Sequence, residues 1–240
     1  IVLPFTISIV VVALAFLLGV REWIALGGYF LACFVVASTL LDIAQGSRAR
    51  AKNTGEFILV AMKNLIERNR RRYGGYLIHV GVAMMAIGII GSQVYSTDVT
   101  RALKRGESMD VRGYTLTFTS LSPDFPSGEA RVTSAAIDVS RDGKHVTTLS
   151  PARAFYPRQE QTETIPAIYS TLQEDLYIIV AGWENNFSTV TFRAYVNPMV
   201  FWLWFGGLFL IVSTLIAALP DAREEARERA SDLARGTVRA

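Results

Sequence analysis

The stretch RRRYGGYLIHVGVAMMAIGIIGSQV, Arg70 to Val94, decides how the rest of the chain is read. Three arginines lead straight into Gly74 to Val94, a run that contains no Asp, Glu, Lys or Arg. A run of roughly 17 to 25 apolar residues crosses a hydrocarbon core about 30 Å thick. Working outward, the same purity recurs in Ile1 to Val20, Trp23 to Leu41 and Pro198 to Leu219. The 240 residues are 51% hydrophobic and 19% charged, and the apolar ones are gathered into these four blocks. A soluble core rarely needs blocks so free of charge. The expected fold class is therefore a polytopic α-helical membrane protein with four transmembrane helices in this segment.

Charge sets the direction of travel. Between Asp42 and Tyr73 lie Arg48, Arg50, Lys52, Lys63, Arg68, Arg70, Arg71 and Arg72 against few acids. Short loops this rich in Lys and Arg stay cytoplasmic. Residues 1–44 then form transmembrane helices 1 and 2, 45–73 a basic cytoplasmic loop, 74–95 helix 3 and 198–219 helix 4. Residues 96–197 become an extracytoplasmic domain, and 220–240 a cytoplasmic tail with five arginines and five acids. The sequence pI of about 9.1 reflects this local excess, which points to orientation in a membrane and away from nucleic acid.

Within the basic loop, EFILVAMKNLIER (Glu56 to Arg68) spaces its apolar residues as one helical face, after Thr54 as a candidate N-cap. It reads as an interfacial helix on the cytoplasmic membrane surface, or equally as a helix packed on other protein. Asp221 is a candidate cap for a solvated helix in the tail.

The extracytoplasmic segment changes period. Val111 to Leu121 is rich in β-formers, and Arg131 to Ser140 and His145 to Ser150 flank Asp142-Gly143, a strong hairpin signal. Thr164 to Ser170, Leu176 to Gly182 and Ser188 to Val196 read as further strands. About six strands imply an all-β, small barrel-like or sandwich domain.

Few residues carry chemistry. Cys33 is the single cysteine, and no CxxC or CxxCH occurs, which excludes thiol redox chemistry and covalent haem attachment within the chain. Of two histidines, His145 follows the hairpin turn and reads as a solvated strand residue. His79 falls inside a span, roughly 8 Å from its cytoplasmic end at the helical rise. An ionisable group at that depth is a functional-site candidate. Gly74, Gly81 and Gly88 recur every seven residues, joined by Gly75 and Gly91, and such stripes let a helix or a flat cofactor approach closely. His79 shares its face with Gly75, Val82, Ala83 and Ala86. That setting suits an axial haem ligand, and it equally suits a histidine bonded to another helix. Trp183, in Gly182-Trp183-Glu184, faces a partner or cofactor cavity, or fills the β core. Trp202, Trp204, Tyr95, Tyr73 and Tyr76 match interfacial aromatic belts.

RRRYGGYLIHVG (Arg70 to Gly81), continuing through Gly88-Ile89-Ile90-Gly91-Ser92, resembles the CcmF family of cytochrome c maturation proteins at one of its transmembrane histidines. VNPMVFWLWFGG (Val196 to Gly207) is similar to that family's last span, and the β-rich domain between them agrees. The resemblance implies part of the System I haem lyase of the bacterial inner membrane, with the β domain in the periplasm. It implies His79 as one axial ligand of a transmembrane haem b, with Gly75, Ala83 and Ala86 as candidate haem-facing neighbours. The implied partners are CcmH-type subunits, the haem chaperone CcmE, apocytochrome c with its CxxCH motif, and quinol as electron donor. The family's tryptophan-rich WWD segment, its two extracytoplasmic histidines and its other transmembrane ligand are not found among these residues. Ile1 already lies inside an apolar run, without the basic start of a signal peptide. The expectation is therefore that more of the same protein precedes it, or that the N-terminal part is supplied in trans. Alone, the segment is not expected to be active. The rival expectation is a non-catalytic membrane scaffold whose β domain docks a partner, and a cytochrome b-type quinol oxidoreductase subunit ranks below both.

Overall fold

A computed structural model describes residues 1–184, 187–220 and 230–231. The tail helix expected at Asp221 lies outside the described residues. The chain divides into a helical unit, Ile1–Ile90 with the chain from Trp202 onward, and a β unit, Gly91–Phe201.

Among the described residues the helices are α1 (Val2–Leu17), α2 (Trp23–Thr54), α3 (Ile58–Arg68), α4 (Arg70–Val94) and α5 (Val200–Ala218). By length and composition α2, α4 and α5 can each cross a membrane, and α1 is a shorter apolar helix of 16 residues. The first expected span is thus about 24 Å of helix at 1.5 Å per residue. It stops early because Gly19 turns the chain at φ 105°. The Arg21 guanidinium closes that end, donating to the Phe16 carbonyl at 2.6 Å and stacking over the Phe16 ring. A cation there complements the helix dipole.

The basic segment is mostly helical. Nothing in Asp42 to Thr54 breaks a helix, so α2 runs on for 32 residues until Gly55 takes the left-handed conformation at φ 72°. Thr54 is therefore not the cap of the next helix. It is the last residue of α2, and its hydroxyl donates back to the Arg50 carbonyl at 3.0 Å. Phe57 occupies the cap position of α3 without a side-chain hydrogen bond. The turn is held instead by Glu56, paired with Arg50 at 3.1 Å and accepting from Asn64 of α3 at 3.3 Å. Arg50 keeps the Glu56 carboxyl below its usual range. Within the unit α3 folds back on α2. Ala61 is fully buried, and Leu65 lies where a Cβ on Gly46 would come within 2.9 Å. Phe57, Ile58, Leu59 and Val60 remain exposed, and as consecutive residues they spread round the start of α3.

Several hydroxyls inside the apolar helices are satisfied locally, since bilayer interiors offer no water, whereas the Ser47 hydroxyl of α2 is buried with no partner among the described residues. Ser8 donates to the Pro4 carbonyl, Ser213 to Phe209 and Thr214 to Leu210.

The β unit has ten strands among its described residues: β1 (Thr97–Lys104), β2 (Ser108–Val111), β3 (Tyr114–Ser127), β4 (Ala130–Arg141), β5 (Lys144–Leu149), β6 (Ala152–Tyr156), β7 (Gln161–Ile165), β8 (Ala167–Ser170), β9 (Glu174–Glu184) and β10 (Thr189–Pro198). They form a four-stranded sheet in the order β1-β10-β9-β8 and a six-stranded sheet in the order β2-β3-β4-β6-β7, with β5 also on β4. Contacts between β1 and β2, and between β5 and β8, bring the sheet edges together, so the sandwich approaches a flattened barrel. Inward residues of both sheets make one core, including Leu116, Ile137, Leu176 and Val190, with the Phe118 and Phe192 rings 5.1 Å apart.

Asp142-Gly143 turns as expected, with φ 51° and 72°, and Arg112-Gly113 makes a second turn of the same kind at φ 46° and 83°. The strand expected over Thr164 to Ser170 is two strands. Pro166 has no N–H for a ladder, and the chain there passes from the six-stranded to the four-stranded sheet. In β9 the register slips beside Thr191, and the extra residue, Ala181, flips the alternation. Leu176, Ile178 and Val180 point inward before the slip, and Trp183 packs against the core after it.

Candidate functional site

The site is built on α4, where two opposite faces have different partners. Gly74, Gly81 and Gly88 lie against α5. A Cβ on Gly74 would come within 2.7 Å of Ala217, on Gly81 within 3.0 Å of Leu210, and on Gly88 within 2.6 Å of Leu203, largely at backbone atoms. Gly206 of α5 answers them, since its own Cβ would lie 2.8 Å from the Met85 nitrogen. The glycine stripe is therefore a helix–helix contact surface, the use expected of small residues in a bilayer.

His79 is on the other side. At about 100° per residue it points some 160° to 180° away from Gly81 and Gly88. It is exposed, as are Val82 and Ile89 along the same stripe. Gly75, one turn before it, has open space where a Cβ would be, and Ala86, two turns after it, is half-buried. Ala83 is covered, at 5% exposure. It sits about 40° round the helix from His79, towards the side where Ile90 reaches Gly28 of α2. The four expected neighbours thus divide, with Gly75, Val82 and Ala86 beside His79 on the open face and Ala83 turned into the unit.

The imidazole is oriented from within its own helix. His79 Nδ1 lies 2.7 Å from the Gly75 carbonyl oxygen. A carbonyl only accepts, so Nδ1 carries the hydrogen and the neutral ring keeps a lone pair on Nε2. Nε2 has no hydrogen-bond partner among the described residues. A ring nitrogen with a free lone pair, held by a second-shell bond on the other nitrogen, is the usual form of a ligating histidine. The donor chemistry and the open, small-residue face together fit a haem iron ligand.

Arg72 is a residue that charge counting alone could not single out. It falls two turns before His79 on nearly the same stripe. Its Nε donates to the Tyr76 hydroxyl at 3.3 Å, and its guanidinium lies 5.7 Å and 5.6 Å from the Tyr73 and Tyr76 ring centroids.

The remaining candidates separate. Cys33 is half-buried within α2. His145 is exposed on β5, with Nε2 3.3 Å from the Thr148 hydroxyl. Trp183 is half-buried against the β core and also faces a cleft, stacked near Phe187 and Arg153. No group of three or more His, Cys, Asp or Glu that could hold a metal ion occurs among the described residues. The β unit does contain a buried carboxylate, Glu174, paired with Arg141 at 3.0 Å and Arg112 at 3.4 Å. Arg112 also donates to the Tyr95 carbonyl and Arg141 to the Tyr114 hydroxyl. Burial, and then the Glu174 charge, push the Tyr114 hydroxyl above its ordinary range. This cluster ties four segments of the β unit together, which is a structural role.

Comparison with known proteins gives one consistent family. The family described as the CcmF C-terminal β-sandwich matches residues 94–198. The cytochrome c-type biogenesis protein CcmF of Pseudomonas aeruginosa is 29% identical over 205 residues, covering 84% of this chain and 29% of that protein. The CcmF of Pseudomonas fluorescens is 30% identical over 216 residues, 87% of this chain and 30% of that protein. A solved structure titled cytochrome c haem lyase CcmF superposes with a TM-score of 0.69 at 23% identity, covering 91% of this chain and 34% of the other. At that identity the superposition speaks for the fold. The chain spans less than a third of the length of these two curated relatives.

Proposed function

We propose that the chain, which is similar to the CcmF family of cytochrome c biogenesis proteins, forms one side of a transmembrane haem b site with His79 as an axial ligand. The observation that carries this reading is the pairing of His79 Nδ1 with the Gly75 carbonyl, which leaves Nε2 free on an open face of an apolar helix. An unpaired imidazole turned toward lipid is costly, and ligation removes that cost. When bound, haem supplies one-electron chemistry. The residues of this chain do the rest. The Gly75 carbonyl fixes the tautomer, the absent Cβ of Gly75 and the short Ala86 side chain leave room for a flat ring, and Val82 and Ile89 exclude water.

In this reading the chain is the C-terminal part of a System I haem lyase in the bacterial inner membrane. The basic segment from Arg48 to Arg72 holds the cytoplasmic side, which leaves the β unit in the periplasm. There it docks CcmH-type subunits, or the apocytochrome c that receives haem from the chaperone CcmE, with quinol as electron source. The N-terminal part of the same protein supplies the opposing ligand and the haem-handling residues. Catalysis is haem reduction and handover. Side-chain acid–base chemistry has no part in it, since no nucleophile–base pair is seen among the described residues.

The test is the reduced-minus-oxidised absorption spectrum of the purified membrane protein containing this chain, beside its His79→Ala variant. A b-type spectrum lost or strongly weakened in the variant is the expected result. An unchanged spectrum would remove His79 from the site, and no haem in either protein would leave the scaffold role in front.

A further inference from the structure

The interior of the β sandwich does not stay aliphatic to its end. On β4 the inward row of Val139, Ile137 and Ala135 continues as Thr133 and Arg131. β6 sets Arg153 opposite Thr133 and Phe155 opposite Arg131. From the facing sheet, the slip in β9 turns Trp183 to the same side, and Phe187 follows it. Together with Thr162 of β7 these residues line a cleft of about 360 Å³. That is at the small end of the range of roughly 300 to 1,000 Å³ typical of ligand pockets.

The described residues that line the cleft include two guanidinium groups and no carboxylate. Of the other arginines of the sandwich, Arg112 and Arg141 pair with Glu174, Arg158 with Glu129 and Arg193 with Asp98, while Arg101 and Arg105 donate to backbone carbonyls. Arg153 has no paired acid among the described residues. Its Nη1 donates to the Ala181 carbonyl at 3.0 Å, its guanidinium stands 5.5 Å from the Trp183 ring centroid, and its Nε is buried without an acceptor among the described residues. An arginine held in place by an aromatic face and one backbone carbonyl, with donors unmet, is pre-organised for a carboxylate. The Trp183 and Phe187 rings, 5.3 Å apart, and the exposed Phe155 ring supply flat apolar walls beside it.

We propose that this cleft binds a planar apolar group that carries a carboxylate, with the ring system against Trp183, Phe187 and Phe155 and the acid on Arg153. Two sources have that chemistry: a free planar acid such as a porphyrin, and an aromatic residue beside an acidic one in a polypeptide. The site is separate from His79 and does not depend on it.

The test uses the whole chain in detergent micelles, with 2-naphthylacetate as the probe and ligand-observed NMR titration against empty micelles as the readout. The expected result is saturable binding that weakens about tenfold or more for the uncharged 2-naphthylacetamide and for Arg153→Gln, as loss of a charge-assisted pair requires. Arg153→Lys retains part of it, and Trp183→Leu weakens acid and amide alike. No saturable binding, or equal binding of acid and amide, overturns the proposal. The amide comparison decides the matter even where a variant folds poorly. Competition then assigns the source. Displacement by metal-free protoporphyrin, which has no iron for His79 to ligate, supports a free planar acid. Displacement by an N-acetyl-Asp-Phe amide peptide supports a polypeptide, and displacement by neither overturns the proposal. His79→Ala leaves each of these outcomes unchanged, so the haem b assignment stands or falls separately.

Discussion

Gly74 and Gly75 are adjacent in sequence and opposite in surroundings, and substituting each with alanine gives a sharp test of how α4 is oriented. At Gly74 the new methyl would lie 2.7 Å from both Cα and Cβ of Ala217 and 2.8 Å from its nitrogen. Ordinary carbon contacts are about 3.5 to 4.0 Å, so the two helices must separate by most of an ångström. Because the obstacle is backbone, no rotamer change relieves it. Overpacking of this kind costs about 1 to 3 kcal/mol. At Gly75 nothing lies within 4 Å of the new methyl, and replacing a helical glycine returns roughly 0.5 to 1 kcal/mol. The two variants should therefore differ by about 1.5 to 4 kcal/mol. Unfolding in mixed detergent micelles, followed by circular dichroism, measures that difference. Gly75→Ala has a second expected effect, because its methyl points onto the His79 face: haem retention should fall while stability does not. Equal destabilisation by both substitutions would show that α4 does not present Gly74 to α5, and the reasoning about the open face would go with it.

Glu174→Gln removes a buried counter-charge from the partly exposed Arg112 and Arg141 guanidiniums. It should cost about 1.5 to 3 kcal/mol, seen as a lower calorimetric midpoint of the β unit. The same substitution should bring the Tyr114 hydroxyl partway back down in an ultraviolet titration, the contribution of burial remaining. Since the folded value of Tyr114 is raised, its contribution to stability is complete below the ordinary tyrosine range and is lost as pH climbs through the higher folded value. Asp98 behaves in the opposite sense. The Arg193 guanidinium holds its carboxyl below 3.8, so the pair stabilises above that pH and weakens as pH falls through the lower folded value. Carboxyl NMR titration should find Asp98 near its ordinary value in Arg193→Gln. Phe192→Ala removes one of two rings at the centre of the sandwich and should cost about 3 to 5 kcal/mol, read by chemical denaturation.

The membrane character was legible because it rests on a bulk property, the absence of charge over long runs, that no tertiary contact can override. The Asp142-Gly143 hairpin was legible because both residues readily adopt positive φ. Arg112-Gly113 makes the same turn, but arginine gives no such signal, so the strand expected from Val111 ran through that turn into β3 and left the rest of β2 unassigned. β1 is mostly exposed, with Leu103 its buried residue, so it shows no inward row. β6 has only five residues. Pro166 was visible, yet a proline alone does not say that the chain changes sheets. At the site, the depth of His79 followed from counting residues. Whether the glycines served a helix or a cofactor did not, because the stripe is the same in both cases. Only the position of α5 assigns the stripe to packing and leaves the opposite face to His79. The arginine and aromatic cleft draws on β4, β6, β7 and β9, and no spacing in the sequence reveals a meeting of four strands.

The 32-residue length of α2 has a mechanical corollary. At 1.5 Å per residue the helix is about 48 Å long, against a hydrocarbon core of about 30 Å, so it stands out of the bilayer as a stiff post. α3 runs back down that post from the pivot at Gly55 and returns the chain to the level of Arg70. The two helices are keyed to each other by phase, because Gly46 must face Leu65 for α3 to seat. One residue inserted into α2 between Gly46 and Arg50 would rotate everything beyond it, α3 included, by about 100° relative to Gly46 and lengthen the post by only about 1.5 Å. The fold-back would then lose its seat through angle, with hardly any change in height, and the start of α4 would lose its mooring with it.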